Sequence, residues 1–207
     1  MIITIDGLSA TGKSTVAKRL AHTLHYLYFN TGLVYRMVTY VILKNHLTDP
    51  KTIVDSLNQL DFELESDQII MNHQNITDIL YTDEINLSTS KYSSILEIKE
   101  WVRSIQKKYL KQGNIIMEGR DIGSRVARDA DIKFYLYASL DARAKRLRNR
   151  TKKLTLEEAK RELKMIDEKN MTSKDFIKPV DAIQIDTTDM SLEEVYTYML
   201  SVIQKKF

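Results

Sequence analysis

An α/β fold, with a parallel sheet carrying helices on both faces, is predicted by three observations on this 207-residue chain. Short apolar runs at 2–5, 130–137 and 181–186 alternate with stretches whose apolar residues recur at helical spacing. The first run leads directly into Gly7-Leu8-Ser9-Ala10-Thr11-Gly12-Lys13-Ser14, a G-x-x-x-x-G-K-S sequence held between a strand and a helix. A further run at 114–118 ends in Glu118-Gly119-Arg120-Asp121-Ile122-Gly123, acids and glycines where open α/β sheets hold ligands.

Residues 2–5 read as a buried strand, and Val16, Ala17, Leu20, Ala21 and Leu24 mark the inner face of the next helix. In the loop between them, Gly7 and Gly12 permit a tight turn whose amides converge on phosphate. The helix adds its positive end, Lys13 can reach the β- and γ-phosphates, and the Ser14 hydroxyl is placed for Mg²⁺. Ser9, Ala10, Thr11 and Thr15 complete the loop, which predicts nucleoside triphosphate binding.

Residues 25–29 form a second strand or extended segment, broken by Asn30-Thr31-Gly32 before a helix over 33–43. Tyr35 and Arg36 lie one turn past Thr31; Tyr35 is either functional or packing, Arg36 either a ligand or a surface residue. Asp49-Pro50 starts a short helix to about residue 58. From 60 to 80 the rhythm becomes a small antiparallel meander, its third piece at 76–80, too small for a core of its own. Ser88 or Ser90 opens a helix to about 110, with Ile95, Ile98, Trp101, Val102, Ile105 and Tyr109 as its apolar stripe. Lys99 faces either a ligand or water.

Glu118 and Asp121, with Asp6 as a third, supply negative charge for Mg²⁺ or else act as caps and ion-pair partners; Arg120 pairs with a carboxylate or grips phosphate. In the helix at 140–150, Arg143, Arg146 and Arg150 share a face, either around an anion or as a solvated or nucleic-acid-binding surface. A polar linker at 151–155 leads to a Thr155–Glu158 capping box and a helix to about 170. A loop at 171–178 precedes the last strand. Ser191 and Glu194 open the final helix, with Leu192, Val195, Met199 and Val202 inward. The basic helix and its linker suggest a lid that excludes water from phosphoryl transfer.

The chain predicts one domain, 1–207, with a core of 1–59, 96–147 and 179–207, an insert at 60–95, and a lid with following helix and loop at 148–178. The absence of cysteine excludes a disulfide framework and is compatible with a cytoplasmic protein. No apolar run approaches the roughly 20 residues of a membrane span, and Asp6 interrupts the one candidate leader. A net charge of +3, concentrated at 107–111 and 143–153, suits local phosphate binding better than a nucleic-acid surface. Nothing requires more than a monomer.

Nearly the whole chain resembles the cytidylate kinase family of P-loop nucleoside monophosphate kinases. Residues 3–15 match that family's opening, Asn30-Thr31-Gly32-Leu33-Val34-Tyr35-Arg36 its D-S-G-x-x-Y-R, and Asn75-Ile76-Thr77 its monophosphate-binding insert. Residues 118–123 are similar to its D-G-R-D-x-G, and 138–146 to its A-S-x-x-x-R-A-x-R. The resemblance implies a three-layer kinase fold, ATP and Mg²⁺, and transfer to CMP or dCMP. It implies Thr31 and Ser90 on the pyrimidine, with Tyr35, Arg120 and Asp121 near the acceptor. Arg36 and Lys99 would bind the acceptor phosphate, and Arg143 or Arg146 would approach the transferring group. Ser14 and Glu118 would serve the metal.

The sequence departs from the family at Leu8 and Ala10, usually proline and glycine, and at Lys99 and Tyr81, usually arginines. The R-D-x-x-D-x-x-R segment of the family reads 166–174 here, with Ile166 first, Asn170 for the second aspartate and Lys174 near the last arginine. Asn170 and Lys174 remain the acceptor-side candidates. Two other readings stay open: a kinase with another small acceptor, and a nucleotide-binding protein without transfer.

Overall fold

The computed structural model describes residues 1–65, 67–172 and 177–206, the side chains of 170–172 excepted. In chain order the elements are β1 (Ile2–Gly7), α1 (Lys13–Leu24), β2 (Leu27–Asn30), α2 (Thr31–Lys44), α3 (Pro50–Asn58), β3 (Phe62–Glu65), β4 (Gln68–Met71) and β5 (Gln74–Asn75). There follow α4 (Asp83–Tyr92), α5 (Leu96–Leu110), β6 (Ile115–Glu118), β7 (Ile132–Tyr137), α6 (Leu140–Thr151), α7 (Leu156–Thr172), β8 (Ile183–Asp186) and α8 (Leu192–Gln204). The chain divides into two compact units, Met1–Tyr26 with Asn114–Phe207, and Leu27–Gly113.

The first unit is built on parallel strands in the order β6-β1-β7-β8. Ile3 and Ile5 of β1, Ile115 to Met117 of β6, and Phe134 and Leu136 of β7 are all buried. That continuous apolar character is what a parallel strand covered on both faces demands. Helix α1 packs on β1, β6 and α8, burying Val16, Ala17, Leu20 and Ala21. Helices α6 and α7 pair through Ala144, Leu147, Ala159 and Leu163, with Ala10, Leu140, Leu154 and Leu156 against that cluster. The expected Thr155–Glu158 capping box forms at α7, and Ser191 with Glu194, expected to open α8, forms a second one there.

In the second unit, β3-β4-β5 make the antiparallel meander. Helix α2 buries Leu33, Val34, Met37, Val38, Val41 and Ile42, and Asn30 caps it by accepting from the Leu33 amide at 3.1 Å. Trp101 is buried, as its place in the stripe predicts, and its indole N–H donates to Asn58 Oδ1 at 3.0 Å.

Several boundaries differ from the expectation. The third meander strand is Gln74–Asn75, and Asp78–Tyr81 is a 3₁₀ turn. Residues 83–92 form a separate helix, so Ser88 and Ser90 sit inside α4 instead of opening α5. Helix α5 begins after Ile95, which makes no side-chain cap. In α8, Leu192 is exposed and Val202 half-buried, while Tyr196 and Ile203 join Val195 and Met199 inside.

Candidate active site

The first unit gathers the glycine loop and the cations around it. Gly7 lies at φ +145°, and a Cβ there would stand 1.9 Å from the Leu136 carbonyl oxygen, so no side chain fits. Ala10 adopts φ +61° and Gly12, the N-cap of α1, φ +94°. Gly12 has no side chain to cap the helix, and the first turn of α1 holds no acidic residue. The amides of that turn therefore present their partial positive charge without a carboxylate of their own. Ser14 and Thr15 are exposed on the same turn, whereas Thr11 is buried and takes a hydrogen bond on its carbonyl from Thr187 Oγ1 at 3.2 Å.

Lys13 curls back over the loop, its ammonium donating to the Leu8 carbonyl at 2.6 Å. Burial lowers its pKa to about 8; Glu118 and Asp6 pull it up again, while Arg120 and Arg143 push it down. Arg143 is itself buried. Its Nε donates to the Ala138 carbonyl at 3.1 Å, and one terminal nitrogen reaches the Ser9 carbonyl at 3.4 Å. Both terminal nitrogens grip Asp167 of α7, at 3.1 and 2.6 Å. Arg120 reaches the Ser9 hydroxyl at 3.5 Å. Lys13, Arg120 and Arg143 thus converge on the loop from three elements. Arg146 does not join them: its guanidinium donates to Thr187 Oγ1 and to the carbonyls of Thr187 and Met190.

Glu118, at the end of β6, is buried, and Asp121 lies 3.6 Å from Arg125 Nε. Asp6 has a different task from the metal site considered for it. Its two carboxylate oxygens accept the amides of Ile122 and Gly123, at 2.9 and 2.8 Å, pinning the Arg120–Asp121 segment to the root of the loop. Complete burial lifts its pKa from 3.8 to about 6, with Asp121 adding to the rise and the two amides and Lys13 opposing it. Between about pH 4 and pH 6 the native state therefore holds a proton that the unfolded chain has lost, and stability falls as pH rises through that window. Urea unfolding is expected to register a loss of about 3 kcal/mol there. In Asp6→Asn this component disappears; an unchanged pH slope would contradict it.

The second unit carries the acceptor-side candidates. Thr31, at the start of α2, is buried, and its hydroxyl oxygen accepts from Gln106 Nε2 at 2.9 Å. Arg36 Nε donates to Asn86 Oδ1 at 3.1 Å and its Nη1 to the Gly32 carbonyl at 3.3 Å. Tyr35 and Lys99 are half-buried on α2 and α5, and Ser90 is exposed on α4. Asn170 lies in α7 with its side chain outside the described residues, and Lys174 lies outside them altogether.

Gln106 was not singled out from the sequence, although it stands four residues after Val102 and eight after Ile98, on the face they bury. A polar residue at that period, among apolar ones, is the signal. Asn86 carried no such mark.

Among the described residues no group of three or more His, Cys, Asp or Glu could hold a metal, and no helix is long and apolar enough to cross a membrane. The Ser14 hydroxyl and the Glu118 carboxylate are hard oxygen donors, a set that fits Mg²⁺ bound mainly through phosphates and waters.

Residues 3–205 match the family described as cytidylate kinase. A cytidylate kinase of Thermosipho melanesiensis is 36% identical over 211 residues, covering 99% of this chain and 97% of that protein. One from Clostridium botulinum is 34% identical, covering 98% and 97%. Among solved structures, shikimate kinase from Bacteroides thetaiotaomicron superposes with a TM-score of 0.55 at 12% identity, over 99% of this chain and 98% of its own. That likeness concerns the fold.

Proposed function

The chain belongs to the cytidylate kinase family, and from that premise we propose that it transfers the γ-phosphoryl group of ATP to CMP or dCMP, giving the nucleoside diphosphate and ADP. The observation that carries the phosphoryl-transfer part is the convergence of Lys13, Arg120 and Arg143 on a glycine loop at an uncapped helix N-terminus.

In this reading residues 7–15 bind ATP, the loop amides and Lys13 holding the polyphosphate. Arg143 and Arg120 neutralise the negative charge that spreads over the γ-phosphoryl oxygens as the bond to the leaving oxygen lengthens. Ser14 and Glu118 hold Mg²⁺ directly or through its waters. When bound, that ion offsets charge on the β- and γ-oxygens. Asp121 stands near the acceptor and keeps its cationic partners oriented. Arg36 and Lys99 bind the acceptor phosphate, and Thr31, Tyr35 and Ser90 address the nucleoside. Asn170 and Lys174 extend that side. Arg146 braces the 187–190 turn, and Arg143 takes the place beside the transferring group. The enzyme acts as a cytoplasmic monomer on small nucleotides.

The Gln106–Thr31 hydrogen bond bears on the base. Because Thr31 Oγ1 already accepts from Gln106, its own proton is directed to an acceptor atom such as those on the Watson–Crick edge of cytosine. ADP release with CMP, dCMP, UMP and AMP as acceptors tests the assignment. CMP and dCMP are expected to exceed AMP in kcat/KM by about 100-fold. Turnover with another acceptor alone would overturn the pyrimidine assignment, and nucleotide binding without ADP formation would overturn transfer.

A further inference from the structure

Asn86 sits on α4 with no role in the reaction outlined above, yet its amide is engaged at both ends. Its Oδ1 accepts from Arg36 Nε at 3.1 Å, and its Nδ2 donates to the Tyr81 carbonyl at 3.1 Å. Arg36 is held again by the Gly32 carbonyl at 3.3 Å, and its guanidinium carbon lies 5.2 Å from the centre of the Tyr81 ring. The three contacts come from two directions, α2's own first turn and the 81–86 segment.

We propose that Asn86, backed by Tyr81, is a positioning residue that sets the plane of Arg36 for the phosphate of the nucleoside monophosphate. This rests on the reading of Arg36 as an acceptor-phosphate ligand. The chemistry of the amide explains the choice of residue. With Nδ2 fixed on the Tyr81 carbonyl, the amide cannot flip without facing a donor toward a donor, so Oδ1 must meet Arg36 Nε. Anchoring at Nε and Nη1 fixes a planar fork whose worth to a phosphate lies in its rigid geometry. A neutral oxygen does this without cancelling the cation. A carboxylate at the same place would also accept from Nε, but it would lose the donor to the Tyr81 carbonyl and compete with the phosphate for the charge of Arg36. The Tyr81 ring face attracts the guanidinium in the same charge-preserving way.

The experiment compares the intact enzyme with Asn86→Ala, Asn86→Asp, Arg36→Ala and the Arg36→Ala/Asn86→Ala double variant. KM for CMP and for ATP, kcat and the thermal midpoint are measured for each. Asn86→Ala is expected to raise KM for CMP about tenfold, with KM for ATP and the midpoint unchanged. Asn86→Asp, which keeps an oxygen at Nε but turns a second one on the Tyr81 carbonyl and adds a negative charge beside the guanidinium, should raise KM for CMP further. The double variant should bind CMP no worse than Arg36→Ala alone. If Arg36→Ala weakens CMP binding while both Asn86 variants leave it within twofold, or if Asn86→Asp restores it, the proposal is overturned and the reading of Arg36 stands. If Arg36→Ala leaves KM for CMP untouched while turnover continues, the Arg36 assignment falls and the proposal with it.

Discussion

Lys13→Ala is expected to lower kcat for ADP formation by about 10²–10³-fold, the cost of removing one preorganised charge from a site whose chemistry is positioning and neutralisation. The ammonium is positioned by the loop it serves: it lies 2.6 Å from the Leu8 carbonyl, at the first residue of α1. At pH 7 it is mostly protonated even with its pKa lowered to about 8. Glu118 and Asp6 favour that charge, while Arg120 and Arg143 oppose it. Removing the ammonium leaves two arginines without the charge nearest the helix N-terminus. A coupled assay of ADP release with saturating CMP and ATP measures the loss. Activity within tenfold of the parent enzyme would remove Lys13 from the transfer step.

Gly7→Ala is expected to be the most destabilising single methyl that the loop can receive, by about 4 kcal/mol. The new Cβ would lie 1.9 Å from the Leu136 carbonyl oxygen and 2.9 Å from its carbon. Both belong to the backbone of β7, paired in register with Gly7, so no side-chain rotation relieves the clash. The backbone at φ +145° adds strain for any L-residue. Gly12 provides the internal control. It also has a positive φ, but nothing lies within 4 Å of an added Cβ, so Gly12→Ala carries the backbone strain alone. Urea unfolding at constant m-value should separate the two variants by about 2 kcal/mol or more. Equal midpoints would show that β7 yields to the methyl.

What the sequence discloses is what is local in it. The strand, loop and helix of residues 2–24 form as their spacing predicts, because glycines and apolar period act within a few residues. The Thr155–Glu158 capping box and the Ser191–Glu194 helix start were legible for the same reason: donor and acceptor are three residues apart. The break between α4 and α5 was hidden because neither helix start carries a side-chain cap, Ile95 being apolar and Thr82 making no such bond. Serines in a polar stretch then drew the boundary to the wrong place. The site divides likewise. The loop residues announce themselves, but Gln106 meets Thr31 across 75 residues, and Asp6 meets Ile122 across 116. Such pairings are created by the folded chain. The shared face of Arg143 and Arg146 was a correct helical inference, yet the fold gives Arg143 to Asp167 and Ser9, and Arg146 to the turn after β8.

Ala10 joins two mechanical parts. Its methyl rests against the same cluster of Ala144, Leu147, Ala159 and Leu163 that zips α6 to α7, while Lys160 ties α7 to Asp141 of α6 at 2.8 Å. A pivot in the 151–155 linker would have to open that seam and break the Lys160–Asp141 pair. The crest of the glycine loop therefore touches both helices of the hairpin twice, through the Ala10 methyl and through the Arg143 guanidinium that joins the Ser9 carbonyl to Asp167.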